Sequence, residues 1–123
     1  MLSRQEAETK AREWCNAWNR RDLDAVLSHY GEDVTVCSPL VVKRLSRADG
    51  MLRGKPELRE YFATGMGNDK LHFEYEDVRL GVNTMTVLYR RENGMRVADT
   101  MELDDAGRAV RMLACYAGGQ SDV

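Results

Sequence analysis

Apolar residues recur at helical spacing through the first sixty positions and alternate with polar ones from residue 71 onward. Ala7, Ala11, Trp14 and Trp18, with Cys15 on the adjoining row, mark one face of an amphipathic helix. Ser3-Arg4-Gln5-Glu6 ahead of it has the form of a capping box. Asn19-Arg20-Arg21 interrupts the pattern, and Asp22 can cap a shorter helix whose apolar face is Leu23, Val26, Leu27 and Tyr30, stopped by Gly31. Val34 to Cys37 reads as a short strand ended by Ser38-Pro39. The stretch from Leu40 to Arg53, with its basic Lys43-Arg44, reads as a mobile loop. Gly54-Lys55-Pro56 opens a third helix with Leu58, Tyr61 and Phe62 on its buried face, and Gly65 and Gly67 end it.

From Leu71 the period becomes two. Leu71, Phe73 and Tyr75 oppose His72, Glu74 and Glu76, the pattern of a half-buried strand. Further strands are expected over Thr84–Arg91, Met95–Leu103 and Ala109–Ala117. Asn93-Gly94 predicts a hairpin with a type I′ turn, and Asp104-Asp105-Ala106-Gly107 a second turn. Residues 118–123 read as a frayed tail. About three N-terminal helices followed by a mostly antiparallel sheet give an α+β fold in one domain, 1–123. Helices on the concave face of a bent sheet would enclose a pocket.

Composition narrows the function classes. Eighteen Lys and Arg against 20 Asp and Glu leave a net charge of −2, so no basic field draws the chain to nucleic acid. No apolar run approaches the roughly 20 residues of a membrane span. The N-terminus runs straight into charged residues, so a cytoplasmic protein is expected. Cys15, Cys37 and Cys115 are odd in number and widely spaced, which reads as buried reduced thiols rather than a disulfide framework or a zinc site. No phosphate loop, metalloprotease helix or nucleophile elbow is present, and neither an organic cofactor nor a metal has sequence support.

Trp14 through Asp24, His29-Tyr30-Gly31-Glu32-Asp33-Val34 with Ser38-Pro39, Gly54-Lys55 with Leu58-Arg59-Glu60-Tyr61-Phe62, and Val97-Ala98-Asp99 through Gly107-Arg108 to Tyr116 span nearly the whole chain. In these segments the chain resembles the nuclear transport factor 2-like superfamily, and within it the SnoaL-like and ketosteroid-isomerase-like group. The resemblance implies a cone-shaped, strongly bent sheet closed by helices around a deep pocket, usually in a homodimer. It covers isomerases, cyclases, hydrolases, dehydratases and proteins that only bind. The ketosteroid isomerase base, an aspartate before the proline that ends the first strand, falls at Ser38. Its oxyanion-hole tyrosine falls at Trp14, a second tyrosine of that network at Phe62, and a third is kept as Tyr30. Its protonated aspartate falls at Asp99. An unactivated serine cannot abstract a proton α to a carbonyl, so steroid isomerisation by that route is not expected. The limonene-type epoxide hydrolases use an Asp-Arg-Asp set. Here Val97 stands in the arginine's place, and residues 113–117 carry no acid.

Asp99 is the candidate catalytic or binding residue. It sits mid-strand, where an acid is disfavoured, between the apolar Val97 and Met101 of its own face. If that face lines the pocket, desolvation favours the neutral carboxyl. The expected lining is Trp14, Tyr30, Ser38, Phe62, Val97, Asp99, Met101, Leu113 and Cys115, the last two by parity with Ala117. Trp14 could add an indole N–H contact. His29, at a helix C-terminus, suits a structural imidazolium, and His72 an outward position. Two readings follow: a homodimer whose pocket takes a small apolar or amphipathic molecule, either binding it or acting as an enzyme on a small carbonyl or hydroxyl compound without the isomerase base, or a non-catalytic module for dimerisation or protein interaction that works through the outer sheet face. Leu88, Leu103, Met112 and Tyr116, divided between the two faces, are the basis for expecting the dimer.

Overall fold

The computed structural model describes residues 1–119 and 122–123. Helix α1 spans Arg4–Asn19, and its capping box forms: Glu6 N–H donates to Ser3 Oγ, and Ser3 N–H to Glu6 Oε1. Ala7, Ala11, Trp14, Cys15, Ala17 and Trp18 are its buried row. Helix α2, Leu23–Leu27, is capped by Asp22, which accepts from Ala25 N–H. Strand β1 begins earlier than expected, at Tyr30, and runs to Cys37.

The loop expected over 40–53 is instead a helix and a strand. Helix α3 spans Pro39–Leu45, with Ser38 as its N-cap and proline in its first turn; Ser38 Oγ accepts from Leu40 N–H at 3.1 Å. Strand β2, Met51–Arg53, follows a tight return at Gly50, where φ is +66°. Helix α4, Lys55–Met66, makes four helices among the described residues, against about three expected, and carries Gly65 inside its last turn.

Strands β3 (Phe73–Gly81), β4 (Thr84–Arg91), β5 (Arg96–Leu103) and β6 (Ala109–Tyr116) form an antiparallel meander. The β4–β5 connection is not the expected type I′ turn, since of Asn93 and Gly94 only the glycine has positive φ. Gly94 N–H donates to Arg91 C=O and Arg91 N–H to Met95 C=O, the pattern of a three-residue loop closed by a left-handed glycine. The single open, bent sheet has the order β2-β1-β6-β5-β4-β3, and β1 pairs parallel to β6. The fold is therefore α+β, as expected.

Of the tail expected at 118–123, residues 120 and 121 lie outside the described residues; Gly119 N–H donates to Asp122 Oδ2 at 2.9 Å. No helix among the described residues is long and apolar enough to cross a membrane.

Alternation along the strands settles which side chains meet the helices. Met85, Val87 and Tyr89 of β4 and Val97, Asp99, Met101 and Leu103 of β5 are buried, whereas Thr86, Leu88, Ala98 and Thr100 lie on the outer face. The β5–β6 register sets Asp99 opposite Ala114, Met101 opposite Met112 and Val97 opposite Tyr116. The inward row of β6 is therefore Met112, Ala114 and Tyr116. Leu113 and Cys115, expected in the pocket, point to the outer face, where Cys115 is exposed. As expected, the four apolar residues do not all share one face, but the division is uneven: Leu103, Met112 and Tyr116 lie with Asp99, and Leu88 opposes it. The three cysteines are free, but only Cys15 is fully buried; burial pushes its thiol up to about 12.

Candidate functional site

The inner face of the sheet brings aromatic rings from both layers together. Phe73 of β3 stacks on Tyr89 of β4 at 4.6 Å between centroids, and Trp14 of α1 meets both rings at 5.5 Å. Trp18 lies edge-on to Phe62 of α4 at 4.9 Å. These rings enclose a cavity of about 70 Å³, lined by Trp14, Trp18, Ser38, Phe62, Phe73, Asp99, Met112 and Ala114, among others. At its outer end stand Leu40, Arg44, Tyr61, Arg91 and Tyr116, which are half-buried or exposed. Tyr30, Val97 and Met101, also expected in the lining, are buried but pack outside this wall.

Asp99 is 3% exposed. Tyr89 Oη donates to its Oδ2 at 2.9 Å, while its Oδ1 is buried with no partner. Burial pushes the Asp99 carboxyl up to about 7; the Tyr89 hydrogen bond and the charge of Arg91 pull the other way. Tyr89, itself buried beside that carboxyl, is held well above the usual phenol range and stays a donor. Arg91 is spoken for: its guanidinium forks onto Glu92, with Nε–Oε1 at 3.1 Å, and lies 5.0 Å from the Phe73 ring centroid.

The indole of Trp14 does not offer its N–H to the cavity. It donates to Tyr30 Oη at 3.0 Å, and that hydroxyl turns toward Met112 Sδ. Two residues read from the sequence as plain core take over that polar role. Trp18 Nε1 and Tyr61 Oη are both buried without a hydrogen-bond partner, and both residues line the same cavity as Asp99. An aromatic at helical spacing carries no sequence signal that its polar atom will be left over.

Ser38, in the position of the isomerase base, holds the start of α3 with its hydroxyl and is buried against the cavity. His29 departs from its expected role as an imidazolium: burial and, second, the charge of Lys10 lower it to about 4, so the ring is neutral at pH 7. His72 is exposed. Among the described residues no three His, Cys, Asp or Glu side chains converge as a metal site would require.

No curated protein matches the chain. Among solved structures, a SnoaL-like protein of unknown function from Burkholderia thailandensis is 34% identical, with a TM-score of 0.91 over 95% of this chain and 98% of that one. SalBIII, described as an epoxide hydrolase/cyclase-like enzyme in pyran ring formation in the polyether salinomycin, is 20% identical over 99% and 97% of the two chains, with a TM-score of 0.75. A protein of unknown function with a cystatin-like fold from Methylobium petroleophilum is 16% identical over 96% and 80%, with a TM-score of 0.74. These last two share the fold alone. The SnoaL-like domain itself matches residues 11–116, from inside α1 to the end of β6, and with the helices, the bent sheet and the central cavity in place, the chain belongs to the SnoaL-like family.

Proposed function

We propose that the cavity binds a small, largely apolar or amphipathic molecule, with Asp99 hydrogen-bonded to its carbonyl or hydroxyl oxygen. The observation that carries this reading is the set of polar atoms without partners around one cavity: Asp99 Oδ1, Trp18 Nε1 and Tyr61 Oη. A buried polar atom left unpaired costs about 1–3 kcal/mol, so a ligand that answers these atoms recovers that cost. Near pH 7 the Asp99 carboxyl is present in both forms, so it can donate to a carbonyl or accept from a hydroxyl. A cavity of about 70 Å³ is under half of the ~150 Å³ that holds benzene. Anything larger than a few heavy atoms must therefore extend to the side chains of Leu40, Arg44 and Tyr61 at the outer end.

Steroid-type enolisation is not part of this reading, because Ser38 supplies no base. Epoxide opening by an Asp-Arg-Asp set is excluded on the same kind of ground: Val97 occupies the arginine's place and no acid lies on β6 between 113 and 117. Asp99 orients a ligand. A cytoplasmic setting belongs to the same proposal and is supported by three cysteines that form no disulfide. Self-association is proposed for the outer sheet face, supported by the shallow groove over Leu88, Ala98, Cys115 and Ala117.

The test is thermal stabilisation by small neutral carbonyl compounds, with acetoacetamide and cyclohexanone as probes, in the wild type and Asp99→Asn. The wild type should be stabilised and the variant less so. No shift with any probe, or identical shifts in the two proteins, would overturn the proposal.

A further inference from the structure

The polar atoms around the cavity are unequal in kind. Trp18 Nε1 can only donate, Tyr61 has a hydroxyl proton to give, and Asp99 Oδ1 is the lone unpaired carboxyl oxygen. Beside Tyr61 lies a cation. Arg44, in the last turn of α3, has no carboxylate within 4.0 Å among the described residues. Arg47, Arg53 and Arg59 are paired by contrast, with Glu57 at 2.8 Å, Asp49 at 2.9 Å and Asp24 at 2.9 Å respectively. Arg44 is nonetheless placed. Its guanidinium sits 5.8 Å from the Tyr61 ring centroid, over Gly65 of α4, where an added Cβ would lie 3.8 Å from Nη1 and 3.9 Å from the Trp18 ring. Arg44 and Trp18 thus flank the same point of α4, at the outer end of the cavity.

Donors therefore outnumber acceptors around the cavity, and the surplus includes a full positive charge at its mouth. A neutral ketone would leave most of these donors unanswered. A carboxylate offers about four lone-pair sites and fits a guanidinium edge with two parallel hydrogen bonds. We infer that the ligand is a small oxo-carboxylate, its acid group held by Arg44 and Tyr61 at the mouth and its carbonyl oxygen turned inward to Asp99. This rests on the cavity being a ligand site, as proposed above.

The experiment pairs acetoacetate with acetoacetamide, which have the same shape and differ in charge, in calorimetric titrations at pH 7 and low salt. The wild type should bind acetoacetate about tenfold more tightly than the amide. Arg44→Gln should bring the two within about twofold by weakening acetoacetate alone, whereas Arg53→Gln, an exposed arginine already paired, should leave the preference intact. Equal binding of the two probes by the wild type overturns the inference and leaves the cavity reading standing. So does a preference that survives in Arg44→Gln or falls equally in Arg53→Gln. Binding of neither probe removes both.

Discussion

Asp99 keeps its proton to a higher pH than a free aspartate does. Its carboxyl titrates near 7 in the folded chain, against 3.8 for a free aspartate, because the aromatic cavity cannot solvate the anion. Between those two pH values the folded chain keeps a proton that the unfolded chain has released. Stability from this group is thus complete below pH 3.8, falls as pH rises through 7, and is level above that. The loss is on the order of 4 kcal/mol across the window. His29 works in the opposite sense: lowered to about 4, it leaves the folded state as pH drops below 6.5 without the proton the unfolded state takes up. The two slopes oppose each other in the wild type, so the difference between variants isolates them. Urea denaturation of Asp99→Asn should show the variant gaining a few kcal/mol on the wild type at pH 8.5 relative to pH 4.5. An unchanged difference at the two pH values would mean that Asp99 titrates as an ordinary aspartate. A mid-strand acid between Val97 and Met101 was readable from the sequence as an anomaly. The leftover polar atoms of Trp18 and Tyr61 were not, since only the surrounding packing decides whether an indole N–H finds a partner, as that of Trp14 does at Tyr30.

At the level of elements, capping explains both what was legible and what was missed. Ser3 to Glu6 announced α1 because two reciprocal hydrogen bonds are written in four residues. Ser38-Pro39 carried the same kind of signal, an N-cap followed by proline in the first turn, yet read as the end of a strand. A seven-residue helix has too few turns for its apolar spacing to stand out. The return from α3 to β2 depends on Gly50, whose φ is +66° and whose Cβ, if present, would stand 2.9 Å from Ser38 C=O. Gly94 also has positive φ, but nothing lies within 4 Å of its Cβ position. Gly50→Ala should therefore cost about 2 kcal/mol or more, and Gly94→Ala about 1 kcal/mol, the left-handed penalty alone. Equal losses in chemical denaturation would mean that the close approach to Ser38 is not structurally important. Register was the other illegible quantity. Leu113, Ala114 and Cys115 alternate on any strand, and only pairing with Asp99 shows that Ala114 is the inward one.

Over the whole molecule, the order of helices and antiparallel strands was legible because each element is local, while the parallel pairing of β1 with β6 joins residues more than 70 positions apart and leaves no local mark. The outer face of that sheet is less apolar than expected, since Met112 and Tyr116 point inward and Leu88 and Leu113 remain. Two-fold pairing through it would still cover Leu88, Leu113 and Cys115 on both chains at once. Light scattering at micromolar concentration should give twice the 14.0 kDa chain mass; a single-chain mass would refute the dimer. The proposed ligand site depends on Asp99 facing the cavity with a carboxyl free to meet a ligand. Nuclear magnetic resonance of the Asp99 side-chain carboxyl carbon, recorded while acetoacetamide is added at pH 7, tests it most directly. A free midpoint near 7 and a saturable displacement of that resonance are expected, with the carboxyl resonance of Asp33 unmoved by the probe. A midpoint near 4 with no displacement by the probe would contradict it.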